Sequence, residues 1–217
     1  HGCPAVALLT AMDRPLGRAC GHSLEVEEAL EGLQGRGPDD LMEVTYALGS
    51  EMLLLVGAAT GTGDARRRLE ASVSSGRALE TFGRLIEAQG GNRAVTEDPA
   101  ILPQAGAVEV FRASRSGVIA TVEPRRIGRG ILELGGGRTT IEDEIDPSVG
   151  FVITVKPGDA VRAGDPIASV FARDEAGAAG GLAALAEAIA IAEEGTLSPL
   201  ITHRITSGGV ERTASQG

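Results

Sequence analysis

The sequence has 217 residues and a formal charge of −10, with 42% hydrophobic and only 2% aromatic residues. The length suits one large domain or two small ones, and the apolar content is enough for an aliphatic core, which excludes a disordered chain. Scarce aromatics exclude base-stacking platforms, and the acidic balance argues against phosphate-backbone binding, so no nucleic-acid partner is expected beyond a small local basic patch.

Lys156 is the one lysine among 20 basic residues, a bias that reads as coding preference. Cys3 and Cys20 share no metal-ligand spacing and read as reduced thiols of a cytoplasmic protein. No apolar run reaches membrane-spanning length, and there is no signal-peptide pattern. The chain starts at His1 and enters a strand-like segment at once, which reads as the interior of a longer protein.

Residues 4–11, PAVALLTA, form an apolar run without alternation, as a strand buried on both faces does. Pro15 and Gly17 then break the chain. Residues 23–33 read as a helix with Ser23 as N-cap. Pro38 opens a second helix with Asp39 and Asp40 in its first turn, where the dipole favours acids. Its apolar residues Leu41, Val44, Leu48, Met52 and Leu55 recur at helical steps and predict a buried stripe. Two more helices follow, at about 63–73 and 76–89, the latter ended by Gly90-Gly91.

The stretch 92–105 carries Pro99 and Pro103 and little periodicity, and reads as a linker. Beyond it the period changes. Residues 107–112 and 117–123 alternate like strands, a helix is expected at 125–134, and strands near 151–155 and 166–172. Residues 178–194 predict an alanine-rich helix, 200–206 a last strand, and the tail is polar. The fold class expected is α/β plus α+β: residues 1–95 as the end of a parallel-sheet α/β domain with helices, a linker at 96–106, and residues 107–217 as a C-terminal α+β domain.

Several motifs invite chemistry and have plain alternatives. GGGR at 135–138 has the glycines of a phosphate cradle but lacks its lysine and Ser/Thr; a flexible loop is the simpler reading, with Arg138 left open as a mobile contact to an anion. Glu142, Asp143, Glu144 and Asp146 cluster without calcium-loop spacing and read as a solvated acidic loop. His1, His22 and His203 share no ligand spacing, and His22 reads as a hydrogen-bonded turn histidine. Ser23 has no nucleophile context. VKPGDAVRAGDPI at 155–167 holds two Gly-Asp turns six residues apart and resembles the barrel-sandwich, or hammerhead, half of biotinyl and lipoyl carriers. Lys156 lies before the first turn and lacks the flanking residues of a carrier lysine, so the fold resemblance does not carry the function.

The stretch LLTAMDRPLGRACGHSLEVEEALEGLQGRGPDDL, from residue 8, is the most specific in the chain. Through Met12, Asp13, Pro15, Leu16, Gly17, Gly21, His22, Ser23, Leu24, Glu25, Val26, Glu28 and Ala29 it resembles the thymidine and pyrimidine-nucleoside phosphorylase family. The resemblance continues in LGSEMLLLVGAA (48–59), EAQGG (87–91), RASRSGVIATVEPRRIG (112–128) and VKPGDAVRAGDPIASVFA (155–172), and so covers almost the whole chain.

This resemblance implies transfer of the pentosyl group of a pyrimidine nucleoside to phosphate, giving free base and (deoxy)ribose 1-phosphate. It also implies a cytoplasmic homodimer acting in nucleotide salvage, no organic cofactor, phosphate as co-substrate, and a cleft that closes to exclude water. The family's phosphate signature, catalytic histidine and base-binding residues have no counterpart here. The chain is therefore expected to be the C-terminal portion, inactive alone, with no catalytic or substrate-binding residue of its own. One site carries over by resemblance: a potassium-like monovalent cation held by the backbone carbonyls of Leu16 and Ala19 and the carboxylate of Glu28. A plain solvated acid is the alternative for Glu28. A non-catalytic barrel-sandwich carrier-like module and an anthranilate-type phosphoribosyltransferase are the rival readings. Lys156 disfavours the first, and the Gly-Asp turns disfavour the second.

Overall fold

The computed structural model describes residue 2 and residues 4–213. His1 and Cys3 lie outside the described residues. The contacts divide the chain into two compact units that are each discontinuous in sequence. Among the described residues, one comprises residue 2 and residues 4–11, 30–96 and 198–213; the other comprises residues 12–29 and 97–197. The sequence reading divides the chain once, at 96–106. The contacts also break at 96/97, but they place residues 12–29 with the later segment and 198–213 with the earlier one. The physical reason is strand pairing, described next.

In the first unit, β1 (Ala7–Thr10) pairs antiparallel with β9 (Ile201–Thr206), which pairs in turn with β10 (Gly209–Arg212). Thus Leu9 stands opposite His203, and Ile205 stands opposite both Ala7 and Val210. The tail read as polar is the second strand of this hairpin. The sequence reading takes the first strand as the end of a parallel sheet, buried on both faces. Every ladder among the described residues is antiparallel, and β1 alternates between exposed and half-buried positions.

Three helices accompany this sheet: α2 (Asp39–Leu55), α3 (Thr62–Ser74) and α4 (Arg77–Ala88). Pro38 caps α2 and the two aspartates fill its first turn, as expected. The apolar stripe is not buried as predicted. Only Val44 is, while Leu48, Met52 and Leu55 are exposed. The helix buries Ser50 and Glu51 instead. Glu51 is held by a fork of charge-assisted bonds: Arg204 Nε donates to Oε1 at 2.6 Å and a terminal guanidinium nitrogen to Oε2 at 2.9 Å. A period of 3.6 identifies a helix but not which of its faces finds a neighbour.

In the second unit, β2 (Ala19–Cys20), β5 (Gly150–Ile153), β7 (Pro166–Ala172) and β3 (Ala107–Arg112) form a four-stranded sheet in that order. A second sheet has the order β6 (Ala160–Val161), β4 (Gly117–Val122), β8 (Ile189–Ala192). Two helices, α5 (Pro124–Glu133) and α6 (Glu175–Ala188), pack on each other. The core between them is aliphatic, with Ile119, Val122, Val170 and Leu185 at most 1% exposed, and Phe151 fully enclosed. Gly181 lets α6 approach β7: a Cβ there would stand 2.4 Å from Val170 Cγ1.

The alanine-rich helix is shorter than predicted. It ends at Ala188, and Ile189–Ala192 becomes a strand against β4, with Ile191 opposite Ile119. The β-branched isoleucines suit a pleated surface, and pairing overrides the helix propensity of the alanines. The two Gly-Asp turns repeat each other. Asp159 Oδ2 accepts the Lys156 N–H at 2.7 Å, and Asp165 Oδ2 accepts the Arg162 N–H at 2.8 Å.

Candidate functional site

The turn between residues 13 and 21 belongs to the second unit, as does the first part of α1 (His22–Leu33). Pro15 fixes one dihedral, and Gly17 takes φ +68°, a left-handed conformation open to glycine. The reversal at Gly17 brings the turn back over α1. There Glu28 is 7% exposed, so it is a buried carboxylate and not a solvated helix acid. Its Oε1 accepts the backbone N–H of Arg18 at 2.9 Å and of Ala19 at 3.3 Å, and its Oε2 lies 3.2 and 3.3 Å from the same two donors. Arg18 Nε reaches Oε1 at 3.4 Å.

The opposite polarity of the turn is held from β5's far end. Lys156 Nζ donates to the Pro15 carbonyl at 2.8 Å and to the Gly17 carbonyl. The turn is thus held by a carboxylate on its N–H groups and an ammonium on its carbonyls. β2 then leaves the turn, with Ala19 opposite Val152 and Cys20 opposite Phe151. Burial pushes the Cys20 thiol up to about 12, and the charges of Glu25 and Glu28 add to that.

Ser23 is buried inside α1, not its cap; its N–H donates to the Pro147 carbonyl at 2.9 Å. The reach-back contact at the start of the helix comes from Glu25, whose Oε1 accepts the Gly21 N–H at 2.9 Å. His22 Nε2 lies 2.8 Å from the Gly136 carbonyl, so the histidine is hydrogen-bonded as expected, but it is the first residue of α1 and not part of the turn before it. His203 sits on β9, its Nδ1 3.1 Å from Thr202 Oγ1, in the other unit.

The acidic loop spends its charge on its own backbone. Asp143 accepts both the N–H and the hydroxyl of Thr139 and of Thr140, at 2.6 to 2.8 Å, which hold its carboxyl far below the usual range. Asp146 accepts from Ser148 Oγ at 2.6 Å and from Arg173 Nε at 3.2 Å. An open cleft of about 350 Å³ beside this loop is lined by Leu132, Gly135, Gly137, Thr139, Asp143, Glu144 and Arg173, and Arg138 is not among them.

The turn and Glu28 offer oxygen atoms, the donor type that a hard monovalent cation takes. Glu28 supplies one buried negative charge, its four lone-pair sites exceed the three donors named above (the N–H groups of Arg18 and Ala19 and Arg18 Nε), and the other ligands would be neutral carbonyls. Ala19 lies directly against Glu28, and Leu16 sits between the two residues whose carbonyls hold Lys156. Sequence reasoning missed Lys156. The available signal was its singularity among the basic residues, read as coding bias. The same geometry disposes of a carrier role, because the ammonium is engaged by backbone carbonyls and not displayed at a hairpin tip.

The pyrimidine nucleoside phosphorylase C-terminal domain matches residues 118–192. Over 80% of its length the chain is similar to pyrimidine-nucleoside phosphorylases. It is 40% identical over 174 residues to the enzyme of Bacillus subtilis strain 168 and to that of Staphylococcus haemolyticus, covering 80% of this chain and 40% of each relative. The enzyme of Geobacillus stearothermophilus is 38% identical over the same length. The chain therefore spans two-fifths of the length of the phosphorylases it matches.

Proposed function

We propose that this chain is the C-terminal portion of a pyrimidine nucleoside phosphorylase of the thymidine phosphorylase type. The whole enzyme is a pentosyltransferase: phosphate displaces the base of a pyrimidine nucleoside, leaving free base and (deoxy)ribose 1-phosphate. The observation that carries this is the 40% identity over 174 residues to enzymes of that name. Phosphate is the co-substrate, and the enzyme works as a cytoplasmic homodimer. No helix among the described residues is long and apolar enough to cross a membrane. The paired Gly-Asp turns support a barrel-sandwich arrangement in the second unit.

In this reading the chain contributes scaffold and one ion site. Glu28, with the carbonyls of Leu16 and Ala19, holds a potassium-like ion that supplies positive charge beside the phosphate-binding region of the whole enzyme. Glu28 orders the backbone from Arg18 to Ala19, which fixes where those carbonyls lie.

The test uses two polypeptides. The product of the complete reading frame, incubated with thymidine or uridine and inorganic phosphate, is expected to release free base and pentose 1-phosphate. Base release that does not depend on phosphate would overturn the reading. The 217-residue chain alone is expected to turn over neither nucleoside. Turnover by it would place the catalytic groups inside this chain.

A further inference from the structure

Two carbonyl oxygens two residues apart, those of Pro15 and Gly17, converge on one point. Carbonyl dipoles pointing at a common centre repel unless a cation sits there. An oxygen-lined centre of this kind is what a hard monovalent cation takes. In this chain the centre holds the ammonium of Lys156, reached from a residue 139 positions away in sequence. On the other side of the turn the Glu28 carboxylate takes the N–H groups of Arg18 and Ala19. The turn therefore separates its donors from its acceptors and meets each with a full opposite charge.

The choice of side chain bears on this. The other 19 basic residues of the chain are arginine, and a guanidinium is a planar fork suited to carboxylates and phosphates. Its donors diverge in a fixed plane, whereas a compact ammonium with three rotatable donors can sit at the point where two carbonyls converge. The position that demands an ammonium is the position that has the lysine.

We propose that the Pro15–Ala19 turn is a monovalent-cation loop whose cation is tethered: the Lys156 ammonium fills a carbonyl-lined position that free ammonium or potassium takes when the lysine side chain is removed. This position is formed by Pro15 and Gly17 and is separate from the ion assigned to Leu16, Ala19 and Glu28, and it does not depend on that assignment. Lys156 acts as a positioning residue. It fixes the carbonyl face of the turn, and through the shared backbone it fixes the N–H face that Glu28 reads.

Because Lys156 is the one lysine, the chain grown with [ζ-15N]lysine gives a single side-chain signal. An ammonium held by two carbonyls exchanges slowly with water, so its proton cross-peak is expected to persist at pH 7 and 25 °C. An exposed lysine loses that signal to exchange, and its absence here would overturn the proposal. The second arm is the K156A chain, melted at fixed ionic strength in ammonium, potassium or choline chloride. Its midpoint in choline is expected to lie about 3 °C or more below wild type. Ammonium or potassium should restore at least half of that loss, while wild type shows a smaller difference between salts. A K156A chain with the same deficit in all three salts would show that the position takes no free cation and would overturn it. Should K156A fail to fold in every salt, the lysine signal of the wild-type chain decides. A wild-type chain indifferent to potassium would count against the ion at Glu28 and leave the tethered cation standing.

Discussion

Gly17 and Glu28 approach so closely that a Cβ on residue 17 would stand 2.2 Å from Glu28 Oε2. Glycine is needed there twice over, once for its φ of +68° and once for the carboxylate behind it. Gly17→Ala is expected to destabilise the chain by about 1–3 kcal/mol, the range for strained backbone at a non-glycine residue. Urea denaturation measures it. A loss near zero would mean that the turn tolerates a different course over α1.

Glu28→Gln separates a buried carboxylate from a surface acid. A solvated helix acid would shift stability by under about 0.5 kcal/mol. The carboxylate seen here accepts two backbone N–H groups, so the amide turns a donor toward one of them, and a loss of about 1–3 kcal/mol is expected. In the whole enzyme the same change is expected to abolish the dependence of the phosphate KM on potassium. Phosphate KM curves that coincide for wild type and variant would leave Glu28 with a folding role only.

Cys20 should be a slow thiol. In a Cys3→Ser background it is expected to react with a disulfide reagent at pH 8 far more slowly than a free cysteine. Its pKa of about 12 against a reference of 9.0 leaves roughly a thousandfold less thiolate. Because the folded value lies above the unfolded one, its contribution to stability is present below pH 9. It is lost as pH rises from about 9 toward 12. A rate near that of free cysteine would mean that the β2 edge opens readily.

On the acid side Asp143 and Asp146 contribute, as does Asp64, held low by the Thr60 N–H and the Arg68 side chain. The hydroxyl of Thr139, then Thr140, holds Asp143 low, and Ser148 does the same for Asp146. Folded values below the unfolded ones mean stability that is present at neutral pH and lost as pH falls below about 4. The urea midpoint measured from pH 7 to pH 3 should therefore fall. It should fall less steeply in Asp143→Asn, which has no charge there to lose. Parallel curves for the two proteins would assign the acid sensitivity elsewhere.

Limited proteolysis tests how the chain is divided. Early cuts are expected within 92–106, the segment of short turns and prolines. The nicked protein should nevertheless migrate as one species on gel filtration, because β1 in the first fragment pairs with β9 in the second. Separation of the fragments without denaturant would show that this pairing is too weak to hold them.

Local chemistry made much of this protein legible from its sequence. Pro38 with two aspartates marks the start of α2, and Gly90-Gly91 follows the end of α4. The alternation in 107–112 and 117–122 marks two strands. Each of these signals lies within a few residues of what it specifies. The tertiary structure decided everything that depends on a distant partner. Ile189–Ala192 is a strand because β4 lies beside it, and the tail forms β10 because β9 offers an edge. Leu48, Met52 and Leu55 of α2 are exposed while Glu51 is buried, because Arg204, 153 positions away, meets that carboxylate. The candidate site divides in the same way. Pro15, Gly17 and Glu28 could be read as a turn and a carboxylate, but the ammonium that completes the turn comes from Lys156. Only the pairing of β2 with β5 brings the two ends together.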